Sequence, residues 1–222
     1  METIAISRIH FPVTTLGPGR RIGIWFQGCS IRCPGCISAD TWTTGKGMTT
    51  IEEVVNTLQH WLPEAEGVTV SGGEPFDQRE ALQSLLSEIR SRFDGDVLVY
   101  SGYPVERLTD KLDGMTGLID ALISDPYLVD APQTLALRGS DNQRLNILTP
   151  LGQARLSSFQ RETVPSDRRF DLMMGETGEI WMAGIPGRDD FNRLTTILAS
   201  QAHKIVTTQD RSAGTSRRQA ND

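Results

Sequence analysis

Little in this chain of 222 residues is basic, histidine-rich or continuously apolar, and each shortage removes a class of function. With 22 Lys and Arg against 28 Asp and Glu, the net charge of −6 argues against a general polyanion-binding surface, because counterion release from nucleic acid needs clustered cations. No apolar run approaches the roughly 20 residues of a membrane span, and the start, Met-Glu-Thr-Ile-Ala-Ile-Ser-Arg, has no basic n-region leading into an apolar h-region. Neither nucleic acid nor membrane is therefore expected as a partner, and the expected location is the cytoplasm. Only 3 histidines and 3 cysteines are present. An odd cysteine count makes a poor disulfide framework, and a chain of this length has no need of one to form a core.

All three cysteines lie in Cys29-Ser-Ile-Arg-Cys33-Pro-Gly-Cys36. The spacing C-x3-C-x2-C offers three thiolates from one loop, enough for three irons of a 4Fe-4S cluster, and it leaves the fourth iron without a protein ligand. An open iron is where an outside ligand binds and reacts, whereas four-cysteine clusters are closed and suit electron transfer. Structural zinc is the rival reading. It wants four N or S ligands, and His10 and His60 have no finger-like spacing to the loop. A lone low-pKa nucleophile needs only one of the three thiols.

The rest of the chain alternates strand and helix patterns, which predicts an α/β fold with a mostly parallel sheet. Ile22 to Gln27 is a short apolar run ending just before Cys29, so the cysteines leave the C-terminal end of a strand. Thr50-x-x-Glu53 is a capping box for a helix with Ile51, Val54, Val55, Leu58 and Leu62 on one face, stopped at Pro63. Strands are expected at 68–71, 97–101, 118–123 and 146–148. A helix capped by Asp77 should carry Leu82, Leu85, Leu86, Ile89 and Phe93, and a short one should lie near 105–112. Right-handed crossovers between such units let the sheet curl into an incomplete barrel. From about Pro150 the composition changes. A polar stretch, 157–169, leads to a hairpin of 171–174 and 179–182, then to a helix capped by Asp189 or Asp190 with Phe191, Leu194 and Leu198. The expected division is a core over 1–149, an α+β extension of hairpin plus helix over 150–206, and a disordered tail over 207–222. There is no internal repeat.

The strand at 68–71 runs into Ser71-Gly-Gly-Glu-Pro75. Two glycines there remove side chains that would block a ligand's approach to the backbone, and Glu74 with the free carbonyls suits an amine. A tight turn with a solvated Glu74 is the bland alternative. His60 and the Met173-Met174 and Trp181-Met182 pairs are read as surface and core respectively. Arg20 and Arg21, read as lying beside the cysteine loop, face either a carboxylate or solvent.

Together, C-x3-C-x2-C and Ser71-Gly-Gly-Glu-Pro75 resemble the radical S-adenosylmethionine superfamily. More narrowly the chain resembles the activating enzymes of anaerobic (class III) ribonucleotide reductase. The narrower resemblance rests on Gly17-Pro-Gly-Arg20, Phe26-Gln-Gly-Cys29, Cys33-Pro-Gly-Cys36, Thr41-Trp42, Tyr100-Ser-Gly-Tyr103 and Leu137-Arg-Gly-Ser-Asp-Asn-Gln143, spread over residues 1 to about 148. It implies a partial parallel β/α barrel, with a 4Fe-4S cluster on Cys29, Cys33 and Cys36. It also implies S-adenosylmethionine bound through Ser71, Gly72, Gly73 and Glu74, with Ser101 and Asp125 as further contacts. The implied activity is reductive cleavage to a 5'-deoxyadenosyl radical, which generates a glycyl radical on a partner such as an anaerobic ribonucleotide reductase. A reduced flavodoxin or ferredoxin type donor would supply the electron. No side-chain acid or base is required. Gly35 stands where many superfamily members have an aromatic residue and Ser38 where these activating enzymes usually have Asn. Ile123-Ser-Asp-Pro-Tyr127 shifts an acidic residue by one position. Two rivals remain, a relative acting on another peptide or a small molecule, and a non-catalytic iron-sulfur electron carrier.

Overall fold

A computed structural model describes residues 2–167, 170–174 and 180–202. The strands are β1 (Thr3–Val13), β2 (Arg21–Phe26), β3 (Met48–Thr50), β4 (Gly67–Gly72), β5 (Asp96–Tyr100), β6 (Ala121–Ser124), β7 (Arg144–Ile147), β8 (Phe170–Met174) and β9 (Ile180–Gly184). The helices are α1 (Ile51–Gln59), α2 (Arg79–Arg90), α3 (Thr109–Leu112), α4 (Pro150–Leu156) and α5 (Asp190–Ser200). Seven strands form one sheet in the order β3-β1-β2-β4-β5-β6-β7, and β8 and β9 form a separate hairpin. Only β2, β4, β5 and β6 run parallel to their neighbours; β1, β3 and β7 are antiparallel borders. The architecture is thus mixed α/β around a large central sheet, with its parallel strands in the middle.

Side-chain alternation across the parallel strands separates two faces. Ile22, Ile24, Phe26, Val68, Val70, Val97, Val99 and Leu122 join the cluster that receives α1 and α2. Leu98, Ala121 and Ile123 belong to a second cluster, and Trp25 to a third with Val13 and Leu16. Helix α1 begins as its capping box predicts. The Thr50 hydroxyl accepts from the Glu53 N–H at 3.2 Å, while the Glu53 carboxylate accepts from the Thr50 N–H at 3.0 Å.

Asp77 does not cap α2. A short 3₁₀ turn, Pro75–Gln78, precedes that helix, and the side chain of Glu74 caps the turn instead. Arg21 opens β2 at the strand end away from Cys29. It is fully buried, pairs with Asp96 at 2.6 Å and donates to the Thr69 hydroxyl at 2.6 Å and the Val68 carbonyl at 2.8 Å. Its carboxylate partner lies at the bottom of the sheet rather than beside the cysteines. Arg20 pairs with Glu64 at 3.2 Å on the surface. The tail expected to be disordered lies outside the described residues, as do the side chains of Met173, Met174 and Trp181. Among the described residues no helix is long and apolar enough to cross a membrane.

Candidate iron-sulfur and cofactor site

The cysteine loop leaves the C-terminal end of β2, the strand end where open α/β sheets place ligands. Gly28 turns the chain at φ +96°, and the loop closes on itself through the Cys36 N–H and the Cys33 carbonyl at 3.1 Å. The following segment backs it, because Gly28 N–H donates to the Thr41 carbonyl at 2.7 Å and Cys29 N–H to the Trp42 carbonyl at 3.2 Å. Thr41 is itself fully buried, its hydroxyl donating to Ser38 at 2.7 Å. The Thr41-Trp42 pair therefore serves as a backbone clamp. All three cysteines are free and line one cavity of about 440 Å³. Burial raises each thiol's pKa, that of Cys36 to about 11, because the loss of water around a thiolate outweighs the hydrogen-bond donors nearby.

Two glycines in the next loop bring it against the cysteine loop. Gly73 N–H donates to the Phe26 carbonyl and Glu74 N–H to the Gly28 carbonyl, both at 2.8 Å. A Cβ on Gly73 would stand 2.1 Å from the Gly28 carbonyl oxygen, and one on Gly72 would stand 2.6 Å from the Phe26 nitrogen. Close backbone approach of the two loops thus accounts for both glycines, where the sequence suggested room for a ligand.

Glu74 is only 1 % exposed and lines the same cavity. Its carboxylate accepts from the Phe76 N–H at 3.0 Å, the Ser101 hydroxyl at 2.9 Å and the Gly102 N–H at 2.8 Å. Burial nevertheless outweighs these three donors and pushes its pKa up to about 7. Ser71, Gly72, Gly73 and Ser101 also line the cavity, so the expected residues from β4 and β5 meet the cysteines there. Asp125 does not. It sits at φ +84° after β6, and its carboxylate accepts from Arg144 at 2.7 and 3.0 Å and from Ser124 at 2.8 Å.

The sequence reading missed the part played by Asp77. Its carboxylate accepts from the Ser30 N–H at 2.8 Å, the Ser30 hydroxyl at 3.0 Å and the Tyr103 hydroxyl at 2.7 Å. Tyr103 N–H donates to the Ser101 hydroxyl at 3.1 Å. One network therefore ties the cysteine loop to the loops after β4 and β5. No spacing rule marks it, since its members lie as far as 73 residues apart in sequence.

The donor set fits a 4Fe-4S cluster. Three thiols of one loop open on one cavity, and no histidine and no fourth cysteine lines it. Among the described residues, no three His, Cys, Asp or Glu side chains are grouped so as to hold a single metal ion. A polynuclear cluster spans several ångströms and accepts thiolates set apart.

Comparison with known proteins agrees with this chemistry. Residues 15–146, more than half of the chain, match a family described as a 4Fe-4S single cluster domain. The anaerobic ribonucleoside-triphosphate reductase-activating protein of enterobacteria phage T4 is 33 % identical over 136 residues, covering 58 % of this chain and 85 % of its own. The protein of that name from Escherichia coli K12 is 29 % identical over 143 residues, 60 % of this chain and 93 % of its own. The pyruvate formate-lyase-activating enzyme of Staphylococcus epidermidis is 39 % identical over 84 residues, 35 % of this chain and 34 % of its own. From three free cysteines of one loop that line one cavity, a family match across the whole parallel sheet and these relatives, it follows that the chain belongs to the 4Fe-4S single cluster domain family and is one of its radical S-adenosylmethionine activating proteins.

Proposed function

We propose that the protein binds S-adenosylmethionine beside a 4Fe-4S cluster and generates a glycyl radical on a partner enzyme, an anaerobic ribonucleoside-triphosphate reductase. One observation carries the reading. Three thiols, the Ser71 to Glu74 loop and Ser101 line the same cavity, at the C-terminal ends of three parallel strands. Bound together, the cluster and S-adenosylmethionine supply one-electron reductive cleavage of a carbon-sulfur bond, yielding methionine and a 5'-deoxyadenosyl radical.

The chain's own residues bind, orient and exclude water. Cys29, Cys33 and Cys36 give up their protons and hold three irons. The Asp77 network and the Thr41-Trp42 clamp fix their loop. Ser71, Gly72 and Gly73 offer a hydroxyl and backbone groups to the methionine amine. Glu74, held by Ser101 and Gly102, adds a carboxylate that a neighbouring cation would bring into its charged form. Asp125 is assigned to holding Arg144 at the end of β6 and not to a ribose contact, because it stands outside the cavity lining. No side chain is asked to act as acid or base.

The four parallel strands with α1 and α2 on one face support a partial β/α barrel as the core, residues 1–149, with 150–206 as an extension. An electron donor of reduced flavodoxin or ferredoxin type and a reducing, cytoplasmic setting complete the proposal; free thiols support the latter. One observation favours a second reading, action on another peptide or a small molecule. Residues 182–188 and Phe191 line the cavity and lie beyond the family match.

Anaerobic reconstitution followed by S-adenosylmethionine and dithionite, with and without the purified reductase, tests the reading. 5'-Deoxyadenosine, methionine and a glycyl radical signal on the reductase are expected. Cleavage with no radical on the reductase would move the activity to another substrate. No cleavage from a protein with a reduced cluster would leave an electron carrier.

A further inference from the structure

The cavity has a wall that the family fold does not supply. Met182, Gly184, Ile185, Pro186, Gly187 and Phe191 all line it, and the family match ends at residue 146. This segment is seated by specific contacts. Ile185 packs against both clusters on the face of the sheet opposite α1 and α2, that of Leu98, Ala121 and Ile123 and that of Val13, Leu16 and Trp25. The Pro186 carbonyl accepts from the Gln133 side chain at 2.9 Å, and Arg188 donates to the Ala131 carbonyl. One turn upstream, the Asp171 carboxylate fastens the hairpin by accepting from the Thr14 N–H at 2.6 Å, the Thr14 hydroxyl at 2.9 Å and the Thr15 hydroxyl at 3.0 Å.

We infer that Gly184-Ile-Pro-Gly187 is a resident intramolecular occupant of the cavity beside the cysteine loop, and that the target's peptide, whose binding there belongs to the proposed activity, gains access only by displacing it. The seated segment itself displays the ligand chemistry. It is a non-helical peptide with a branched apolar side chain in the apolar face, a carbonyl on an amide donor and glycines that line the same cavity as the thiols. Size makes the exchange necessary. A cavity of about 440 Å³ falls within the range of roughly 300–1,000 Å³ that holds one small molecule, which leaves no room for a second peptide beside the seated segment and a cofactor. The phage and bacterial relatives are matched over 85 % and 93 % of their lengths by 136 and 143 residues of alignment. A cover of this kind is therefore an addition to the shared core. The nature of the displacing peptide rests on the glycyl-radical reading; the site itself does not.

The test uses the full chain and a fluorescently labelled synthetic peptide of residues 182–191, with fluorescence anisotropy as the readout. In the wild-type chain the resident segment competes at an effective concentration of about millimolar, so the added peptide binds weakly. Ile185→Ala, which loosens the occupant directly, and Asp171→Asn, which loosens its hairpin, should each strengthen peptide binding at least tenfold, because apparent affinity scales with the vacant fraction. A scrambled peptide should gain nothing. Equal affinity for wild type and both variants, no binding to any of them, or equal binding of the scrambled peptide would overturn the inference. Because no radical chemistry enters this readout, peptide binding without radical transfer to the reductase would sink the proposed activity and leave the site standing.

Discussion

Glu74 makes the stability of the cluster-free protein fall as pH rises through the weakly acidic range. Its pKa moves from 4.5 to about 7 because burial outweighs the donors from Phe76, Ser101 and Gly102. Between those values the folded chain keeps a proton that the unfolded chain has lost, so unfolding free energy drops with pH by about 1.4 kcal/mol per unit. Over the whole shift the loss is about 3 kcal/mol, and it levels off above pH 7. His10 acts in the opposite direction, since burial lowers its pKa and stability rises with pH as its unfolded form deprotonates. Glu74→Gln isolates the carboxylate, because the His10 contribution cancels in the difference between the two proteins. Urea unfolding at half-unit steps from pH 4.5 to 8 should give a wild-type minus variant difference that falls by about 3 kcal/mol and is flat above pH 7. A difference that stays flat, or one that rises with pH, would refute the dominance of burial at Glu74.

Three further outcomes follow from contacts around the site. Tyr103→Phe removes the donor to Asp77 and should cost about 1 kcal/mol in stability and lower iron incorporation on reconstitution, whereas unchanged iron content would show that the network does not hold the loop. Gly73→Ala drives a methyl group into the Gly28 carbonyl and should destabilise by about 1–3 kcal/mol, read by thermal unfolding, with loss of the cluster absorbance; a wild-type melting profile would contradict the close approach. Arg21→Met leaves Asp96 buried with only Arg155, at 3.2 Å, as its cationic partner, and should cost about 3–5 kcal/mol by denaturant titration. A loss below 1 kcal/mol would mean the pair contributes little.

Local signals in the sequence carried far and long-range ones did not. The Thr50 and Glu53 capping box, the apolar stripe of α2 and the strands β2, β4, β5 and β6 are written within a few residues each, so spacing alone reveals them. The 11-residue strand β1 was not read, although Ile4 and Ile6 are core residues and Gly17-Pro-Gly19 follows it, because buried and exposed residues do not alternate along it. Helix α4 was also passed over despite its Thr149 cap and Pro150 start. At the site, the cysteine spacing and the Ser71 to Glu74 loop were legible, since each is a compact motif at a strand end. The reason for Gly72 and Gly73 was not, because the clashing atoms belong to residues 26 and 28. Asp77 satisfied the local pattern of a helix cap, yet its carboxylate serves Ser30 and Tyr103 instead. The seating of residues 182–188 was not legible, because their partners, Gln133, Val13, Leu16 and Trp25, lie far away in the sequence.

The central claim is that three cysteines hold a cluster whose fourth iron is left for S-adenosylmethionine. Mössbauer spectroscopy of protein reconstituted with iron-57, recorded before and after adding S-adenosylmethionine, addresses it at the level of single irons. Three of the four irons should keep their parameters and one should shift toward a higher coordination number. Four irons that all remain unchanged at saturating S-adenosylmethionine would contradict the open site.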